Sequence, residues 1–366
     1  MQGPGIITTL LLTVLLSTVQ AAKHRVHSRR SAARKAAAQT LGGVSLLPFS
    51  SPSNDAAAAR PQDPHSIQRE YCLTWQPEST VQRPNSVMVS VAFHNLNFSM
   101  FCYQQHDIVS HSILTHGSWE AGTSYTVLET LEAACNKLGV LKEDAVFLDI
   151  GANIGWYLLL VAAAGYSAIA FEPMPANEQL LRRSICSNPN FQQQLTLHND
   201  MLSDAPHSNC TMFSDEQNLG DGIVSCDQNL HFATGYSARE TGIDVKTLDV
   251  VLADLHRPIL VVKMDVEGHE AHVLQGATKT ILEAQVPYLM FEFSFAWVEK
   301  NGGRPHYVLN SLVEAGYQFS FDDFHGAPFD PLTVYADPAL QESSDLPLIY
   351  CVHKRMLTER VAGAAD

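Results

Sequence analysis

The chain has 366 residues, of which 46% are hydrophobic, and its formal net charge is −15. This length allows one large domain or two modest ones, and this composition supports a substantial core and excludes global disorder. Residues 1–60 hold seven of the 23 basic residues but only one of the 38 acidic ones, so the remaining chain has a formal net charge of −21. A body this acidic repels nucleic acids and anionic membranes, which disfavours tRNA, rRNA and DNA as partners.

A targeting segment and a linker are predicted at the start of the chain. Residues 6–19 are apolar apart from threonines and a serine, a run too short for a typical membrane span, and Ala21 supplies a small residue near a plausible cleavage point. We expect a signal peptide at 1–22, a secretory or extracellular location, and no stable membrane span once it is removed. Residues 23–65 are rich in Ala, Ser, Arg and Pro without a period, which is typical of a linker. As an organelle transit peptide, the basic stretch would instead direct the chain to a plastid or a mitochondrion.

Two features bear on a secretory route. Asn-x-Ser/Thr tripeptides begin at Asn97 and Asn209, which is compatible with a glycoprotein. The seven cysteines include no C-x-x-C pair, and their odd number leaves at least one without a partner in the chain. Cys210 and Cys226 flank a loop-like segment and are candidates for a disulfide in an oxidising compartment. For most of the cysteines, however, we expect buried free thiols.

In chain order, the first predicted elements form an accessory N-terminal layer over residues 66–140. Two β-rich runs between Val87 and Tyr103 flank His94-Asn95 and predict a hairpin. Apolar residues at helical spacing predict a helix over 126–138.

Strands and helices then alternate over residues 141–356. Apolar runs predict seven strands, at 145–150, 168–172, 195–199, 259–265, 287–293, 316–321 and 347–352. Helices are predicted at 153–164, 175–187 and 270–283. Because the central strands are apolar on both faces, the expected fold is α/β, with a doubly wound, mostly parallel seven-stranded sheet. Residues 204–243 interrupt the alternation and predict an insertion, either an acceptor lid or a plain surface loop. Residues 357–366 are a tail.

The first two strands of this domain indicate a nucleoside site. Asp149 closes one strand and leads into the turn Gly151-Ala-Asn153-Ile-Gly155, and Glu172 closes the next strand. This order is typical of a βαβ unit in which the second carboxylate binds the ribose hydroxyls. A dinucleotide site would need a further glycine in the middle of the turn, and Asp149 would repel phosphates. S-adenosylmethionine, which has a sulfonium, an ammonium group and a ribose, suits the pattern better.

A third block makes the pattern specific. Residues 259–270 read I-L-V-V-K-M-D-V-E-G-H-E, a buried strand that runs into a cluster of carboxylates. Together with D-I-G-A-N-I-G, F-E-P-M-P and M-L-S-D, this block resembles the FkbM family of S-adenosylmethionine-dependent methyltransferases over residues 105–355. The resemblance implies a class I methyltransferase fold with S-adenosylmethionine as cofactor. It also implies methylation of a hydroxyl on a glycan, glycolipid or small metabolite.

The resemblance and the strand-end positions assign the cofactor site. Asp149 is expected at the methionine end and Glu172 at the ribose. The turn beneath the cofactor is shaped by Gly151, Asn153 and Gly155. The adenine ring is expected beside the residues that follow the third strand, Met201, Leu202 and Ser203. Met201 and Leu202 are equally explained as core residues, and Glu172 as a charge that stabilises the start of the next helix.

The acceptor side is predicted at the end of the fourth strand. With side chains alternating along a strand, Lys263, Asp265 and Glu267 share one face, and an ion pair of Lys263 with either acid is expected. Asp265 is our first choice for the base, followed by Glu267 and by Glu292, a carboxylate that ends a buried strand. His269 lies near enough to assist. No metal is predicted, because H-E-x-H differs from the H-E-x-x-H spacing of zinc helices.

Other functions fit the same sequence. On the same fold, the acceptor could be a nitrogen or a protein side chain. A non-catalytic protein that binds S-adenosylmethionine or a glycan, and a dinucleotide oxidoreductase, are the alternatives from other classes. The sequence names neither the acceptor nor the oligomeric state.

Overall fold

The computed structural model describes residues 64–74, 86–215, 222–226, 236–343 and 347–357. The predicted signal peptide (1–22), the predicted linker (23–65) apart from its last two residues, and the predicted tail beyond residue 357 lie outside these ranges. Within them, no helix has both the length and the apolar character needed to cross a bilayer.

A seven-stranded sheet forms the centre of the fold. Its strands are β3 (Val146–Ile150), β4 (Ser167–Phe171), β5 (Leu195–His198), β10 (Ile259–Met264), β11 (Tyr288–Glu292), β12 (Tyr317–Ser320) and β13 (Leu348–His353). Their order across the sheet is β12-β13-β11-β10-β3-β4-β5, and only β13 runs antiparallel to its neighbours. The predicted doubly wound, mostly parallel sheet is therefore confirmed, with its seven strands at the predicted places.

Helices cover both faces of the sheet. The longer ones are α1 (Pro64–Thr74), α2 (Ile108–His116), α3 (Ala121–Leu138), α4 (Trp156–Ala163), α5 (Pro175–Cys186) and α9 (Pro305–Ala315). The shorter ones are α6 (Leu248–Val251), α7 (Glu270–Gln275), α8 (Phe295–Lys300), α10 (Pro331–Val334) and α11 (Pro338–Gln341). The hydrophobic core is accordingly divided by the sheet into two clusters, one around Trp156 and Leu131 and the other around Leu274 and Phe293.

The accessory layer packs onto one face of the sheet. Its predicted hairpin is present as β1 (Ser86–Phe93) and β2 (Leu96–Tyr103). Trp156, fully buried, meets Phe93 and Phe98 of the hairpin edge to face, with ring centres 5.8 and 5.7 Å apart. Hydrogen bonds add to this apolar contact, because the backbone N–H of Phe101 donates to Ser184 Oγ of α5 at 2.8 Å. The layer is therefore part of the same core as the sheet.

The predicted helix over 270–283 is interrupted. It forms α7 and then a π-helix over Thr278–Glu283. Gly276 ends α7 where a Cβ would overlap the carbonyl oxygen of Ser203, so the chain presses closely on the strand below. Asp249 then accepts hydrogen bonds from the backbone N–H groups of Lys279 and Thr280 at 3.0 and 2.8 Å. These contacts hold residues 278–283 as a π-helix that does not continue α7. The periodic apolar residues of this stretch do not indicate the interruption.

The described residues of the predicted insertion belong to a small sheet, whereas the sequence predicted no strands there. Its described strands are β6 (Met201–Leu202), β7 (His207–Asp215), β8 (Gly222–Ser225) and β9 (Tyr236–Lys246), in the order β6-β9-β7-β8. Its apolar side packs Met212, Ile243 and Val245 against Met174, which follows β4. The insertion therefore contacts the loop that carries Glu172.

Four of the seven cysteines are paired, so the expectation of mostly free thiols is wrong. Cys72 of α1 is bonded to Cys186 of α5, and Cys210 of β7 is bonded to Cys226, the pair that the sequence offered as an alternative. The other three are buried free thiols, at Cys102, Cys135 and Cys351. The pairing of Cys72 with Cys186 could not be predicted from the spacing of the cysteines, because 114 residues separate the two.

Candidate active site

The candidate site lies at the carboxyl edge of the sheet, where the order of the strands reverses. From β3 the chain proceeds to β4 and β5 on one side, and later places β10 and β11 on the other side. Ligands of doubly wound folds bind in the crevice at such a switch point. Asp149 and Lys263 are register partners on β3 and β10, so the first and third sequence motifs meet there.

These two buried residues form a charge cluster with the partly exposed Asp265. The Nζ atom of Lys263 lies 3.3 Å from Asp265 Oδ2 and 3.9 Å from Asp149 Oδ1. Burial raises the pKa of Asp149 to about 6, although the Lys263 ammonium opposes that rise. Burial also acts to lower the pKa of Lys263, but the carboxylates of Asp265, Asp149 and Glu120 outweigh it and raise the pKa overall. The predicted ion pair of Lys263 with Asp265 is confirmed, and Lys263 stays charged.

The glycine turn after β3 lies directly against this cluster. Gly151 has φ +79°, and a Cβ there would overlap the carbonyl oxygen of Asp265. Gly155 has φ +89°, and its Cβ would overlap a methyl group of Leu181. Asn153 adopts φ +52°, and its side-chain oxygen accepts from the backbone N–H of Ile154 at 2.7 Å. Each position thus has a backbone conformation or a contact that explains its residue type.

Glu172 is fixed beside the turn. Its Oε2 accepts from the backbone N–H of Asn153 at 2.7 Å, and its Oε1 accepts from the backbone N–H of Met174 at 2.9 Å. Asn177 also donates to Oε1 at 3.4 Å, and the Tyr103 hydroxyl donates to Asn177 Oδ1 at 2.8 Å. Burial nonetheless raises the pKa of Glu172 to about 8. The Glu172 carboxylate therefore links the end of β4 to the turn that follows β3. A charge that only stabilised the start of the next helix would not make this link.

The predicted adenine residues lie on β6 and just after it. Leu202 is buried in the core, and Met201 is partly buried. Ser203 Oγ donates to Asp204 Oδ1 at 3.0 Å and lies 3.0 Å from His269 Nε2. Burial, and then the neighbouring His272, lower the pKa of His269 to about 3. His269 is thus bonded to Ser203 and remains neutral, and its basicity is weak for the assisting role that the sequence suggested.

The loop after β10 corrects one sequence argument. The strand ends at Met264, and Glu267 and Gly268 both take left-handed backbone conformations, with φ +52° and +93°. The alternation of side chains therefore does not reach Glu267, so it does not place that residue on the face of Lys263. Glu270 stabilises the turn from inside, since its Oε1 accepts from the backbone N–H of Gly268 at 3.2 Å. Burial raises the pKa of Glu270 to about 7.

The remaining predicted acid and two unpredicted residues complete this edge. Glu292 is buried at the end of β11, the neighbour of β10. Glu120, just before α3, accepts a 2.8 Å hydrogen bond from the Tyr157 hydroxyl. Its negative charge is one of those that raise the pKa of Lys263. Sequence reasoning missed Glu120, Tyr157 and the Tyr103–Asn177 pair, because each follows no motif. Across the described parts of the chain, no three His, Cys, Asp or Glu side chains are grouped as metal ligands would be.

A doubly wound seven-stranded sheet, with β13 alone antiparallel and with a glycine turn and two buried acids at its switch point, is the predicted class I methyltransferase fold. The family comparison is more specific. Residues 149–319 match the model described as the methyltransferase FkbM domain. Over these residues, the resemblance to the FkbM family that was seen in the sequence is confirmed. No protein of curated function matches the sequence.

Solved structures of low identity are also similar. Methyltransferase FkbM from Methylobacillus flagellatus KT has 18% identity and a TM-score of 0.35, with 60% of this chain and 48% of that chain covered. WbdD has 13% identity and a TM-score of 0.36, with 66% and 42% covered. Precorrin-6y C5,15-methyltransferase from Geobacter metallireducens GS-15 has 11% identity and a TM-score of 0.29, with 61% and 88% covered. The chain spans less than half the length of the first two.

Proposed function

We propose that this protein is an S-adenosylmethionine-dependent methyltransferase that methylates a hydroxyl on a glycan, a glycolipid or a small metabolite. The observation that carries the proposal is the pair of buried carboxylates, Asp149 and Glu172, at adjacent strand ends on either side of the glycine turn. When bound, the cofactor supplies an electrophilic methyl group on a sulfonium. The FkbM domain match supports the reaction class.

The residues present fit this cofactor. Both carboxylate oxygens of Asp149 are buried and have no hydrogen-bond partner within the described residues, an expensive arrangement unless a ligand supplies donors. A primary ammonium group offers such donors. Glu172 is held by backbone N–H groups. Its Oε2 accepts one hydrogen bond from the described residues and so retains a second lone pair for a ribose hydroxyl, whereas Oε1 accepts from both Met174 and Asn177. The missing side chain at Gly151 lets the backbone turn closely against β10.

Asp265 suits the acceptor side. Its side chain is 33% exposed, unlike those of Asp149 and Lys263, so an acceptor hydroxyl can reach it from solvent. The bond to Lys263 orients the carboxylate, which would take the hydroxyl proton as the methyl group is transferred. Glu267 and Glu292 are the alternatives for this role. Holding the acceptor oxygen in line with the methyl group supplies much of the rate enhancement, because proximity removes an entropic cost.

The proposed location is the secretory pathway or the extracellular space. The two disulfides support it, because such bonds persist mainly in oxidising compartments. Amino-terminal sequencing of protein secreted from a eukaryotic host would test it. A mature chain that begins near residue 22 is expected, and retention of the intact chain in a plastid or mitochondrial fraction would contradict the proposal.

Calorimetric titration of S-adenosylhomocysteine into the full chain tests the cofactor site. We expect micromolar binding that is lost in Asp149→Asn and retained in Asp254→Asn, a matched control at an exposed position. Absence of binding by the folded wild type would refute the proposal. Transfer of a labelled methyl group to a panel of methyl glycosides and matched amines then separates oxygen from nitrogen acceptors. Asp265→Asn should lower turnover and leave the affinity for S-adenosylhomocysteine nearly unchanged.

A further inference from the structure

Glu120 is held at the candidate site by the accessory layer. Its backbone has φ +41° and ψ +53°, the left-handed region that residues other than glycine rarely adopt and that costs free energy. Its carboxylate accepts the 2.8 Å hydrogen bond from the hydroxyl of Tyr157, a fully buried residue of α4. Unfavourable backbone conformations of this kind concentrate at functional sites.

The charge of Glu120 acts on Lys263. The ammonium of Lys263 lies on the side of Asp265 and of the Tyr157 ring, 3.3 Å from the carboxylate oxygen and 5.5 Å from the ring centre. Its distance to Asp149, 3.9 Å, is too long for a hydrogen bond. Asp149 is nevertheless the most deeply buried of these carboxylates and has no hydrogen-bond partner within the described residues. The hydrogen bond to Asp265 and the ring of Tyr157 favour this outer position of the ammonium, and the attraction between Glu120 and Lys263 adds to them.

We propose that Glu120 is a positioning residue: with Tyr157 it attracts the Lys263 ammonium away from Asp149 and keeps both Asp149 oxygens available to the ammonium group of the methyl donor. The inference rests on the proposed function, since it assigns Asp149 to the donor. Without the charge of Glu120, Lys263 moves toward Asp149 and competes with the donor. Residues before 149 lie outside the matched family domain, so this control of the site comes from the accessory layer.

The test is a double-mutant cycle on the affinity of the full chain for S-adenosylhomocysteine. Glu120→Gln keeps an oxygen that can accept from Tyr157 but removes the charge. We expect it to weaken binding on the order of tenfold, the effect of one nearby charge on a carboxylate. In a Lys263→Met background the same substitution should change the affinity less than about twofold, because the competing ammonium is gone. Glu129→Gln, at an exposed position of the same helix, is the matched control and should bind like the wild type.

Each outcome either supports or overturns the inference about Glu120. Weaker binding that depends on Lys263 supports the inference, whereas equal weakening in both backgrounds would show that Glu120 acts independently of Lys263 and overturn it. Unchanged binding by Glu120→Gln beside a binding wild type overturns the inference but leaves the proposed function standing. A wild type that does not bind overturns both. If Glu120→Gln fails to fold, Tyr157→Phe removes only the hydrogen bond and must weaken binding in the same Lys263-dependent way.

Discussion

Glu172 offers the sharpest test of the cofactor site, because its protonation state and its binding role are coupled. Its carboxyl group is buried with a pKa of about 8, so roughly a tenth of the free protein is ionised at this position at pH 7. In the proposed complex, the ribose hydroxyls donate to the ionised form. The ligand must therefore displace a proton from Glu172, and the affinity should rise about tenfold per pH unit until it levels off near pH 8.

The perturbation is Glu172→Gln. The amide keeps one acceptor oxygen but directs an NH₂ group at a backbone N–H, of Asn153 or of Met174, where the carboxylate accepted. A hydrogen bond to a charged group contributes about 1.5–3 kcal/mol, so losing one or two of them weakens binding roughly 100-fold at pH 8.5. At pH 6.5 the wild type is already mostly protonated at Glu172, and the loss should shrink to about tenfold or less.

The assay is calorimetric titration of S-adenosylhomocysteine between pH 6.5 and 8.5, in buffers of low and high ionisation enthalpy. At pH 7 the wild type should release about 0.9 proton per ligand, and Glu172→Gln should release almost none. This window excludes most of the titration of Asp149, whose pKa is about 6. A loss of affinity that is the same at every pH, or a variant that still releases the proton, would refute the argument.

Three further outcomes are expected. Between pH 6.5 and 8.5 the free energy of unfolding of the ligand-free protein, measured by urea titration, should fall by about 2–3 kcal/mol. The folded pKa values of Glu172 and Glu270, about 8 and 7, lie above the usual value, so stability that is present at low pH is lost as the pH rises through them. A flat profile would contradict this. Gly151→Ala should abolish binding of S-adenosylhomocysteine and lower the melting temperature more than Gly165→Ala, which has a similar φ but nothing within 4 Å of an added Cβ; equal effects would disprove the contact with Asp265. Denatured, unreduced protein should react with maleimide at three thiols and reduced protein at seven; seven in both states would rule out the disulfides.

The parallel sheet could be predicted because its sequence signal is local. Each central strand is a short apolar run, and each acid that closes a strand is read directly from the chain. Since parallel strands end at one edge, the sequence alone also predicts that Asp149, Glu172 and Asp265 lie in the same region. The register that pairs Asp149 with Lys263 required the structure, because no local pattern states which strands are neighbours.

The strands of the insertion could not be predicted in the same way, and the reason is physical. Its strands β7 and β9 are polar on their exposed side, and turn-forming residues separate them, so composition predicts loops there. What holds them is tertiary: the Cys210–Cys226 disulfide and a small apolar cluster around Met212. Neither can be read from hydrophobic periodicity, because both depend on which residues meet in space.

The role of the accessory layer could not be predicted from the sequence for a related reason, because it too depends on which residues meet in space. Strand-end acids identify where a ligand binds, but a lysine among three carboxylates can pair with any of them. In our proposal, Glu120, which lies outside every motif, makes the choice between Asp149 and Asp265 together with Tyr157, whose hydroxyl donates to it. The position of Lys263 decides whether Asp149 faces a fixed cation or remains available to a ligand. In this protein, that decision depends on a layer of the fold that the matched family domain does not include.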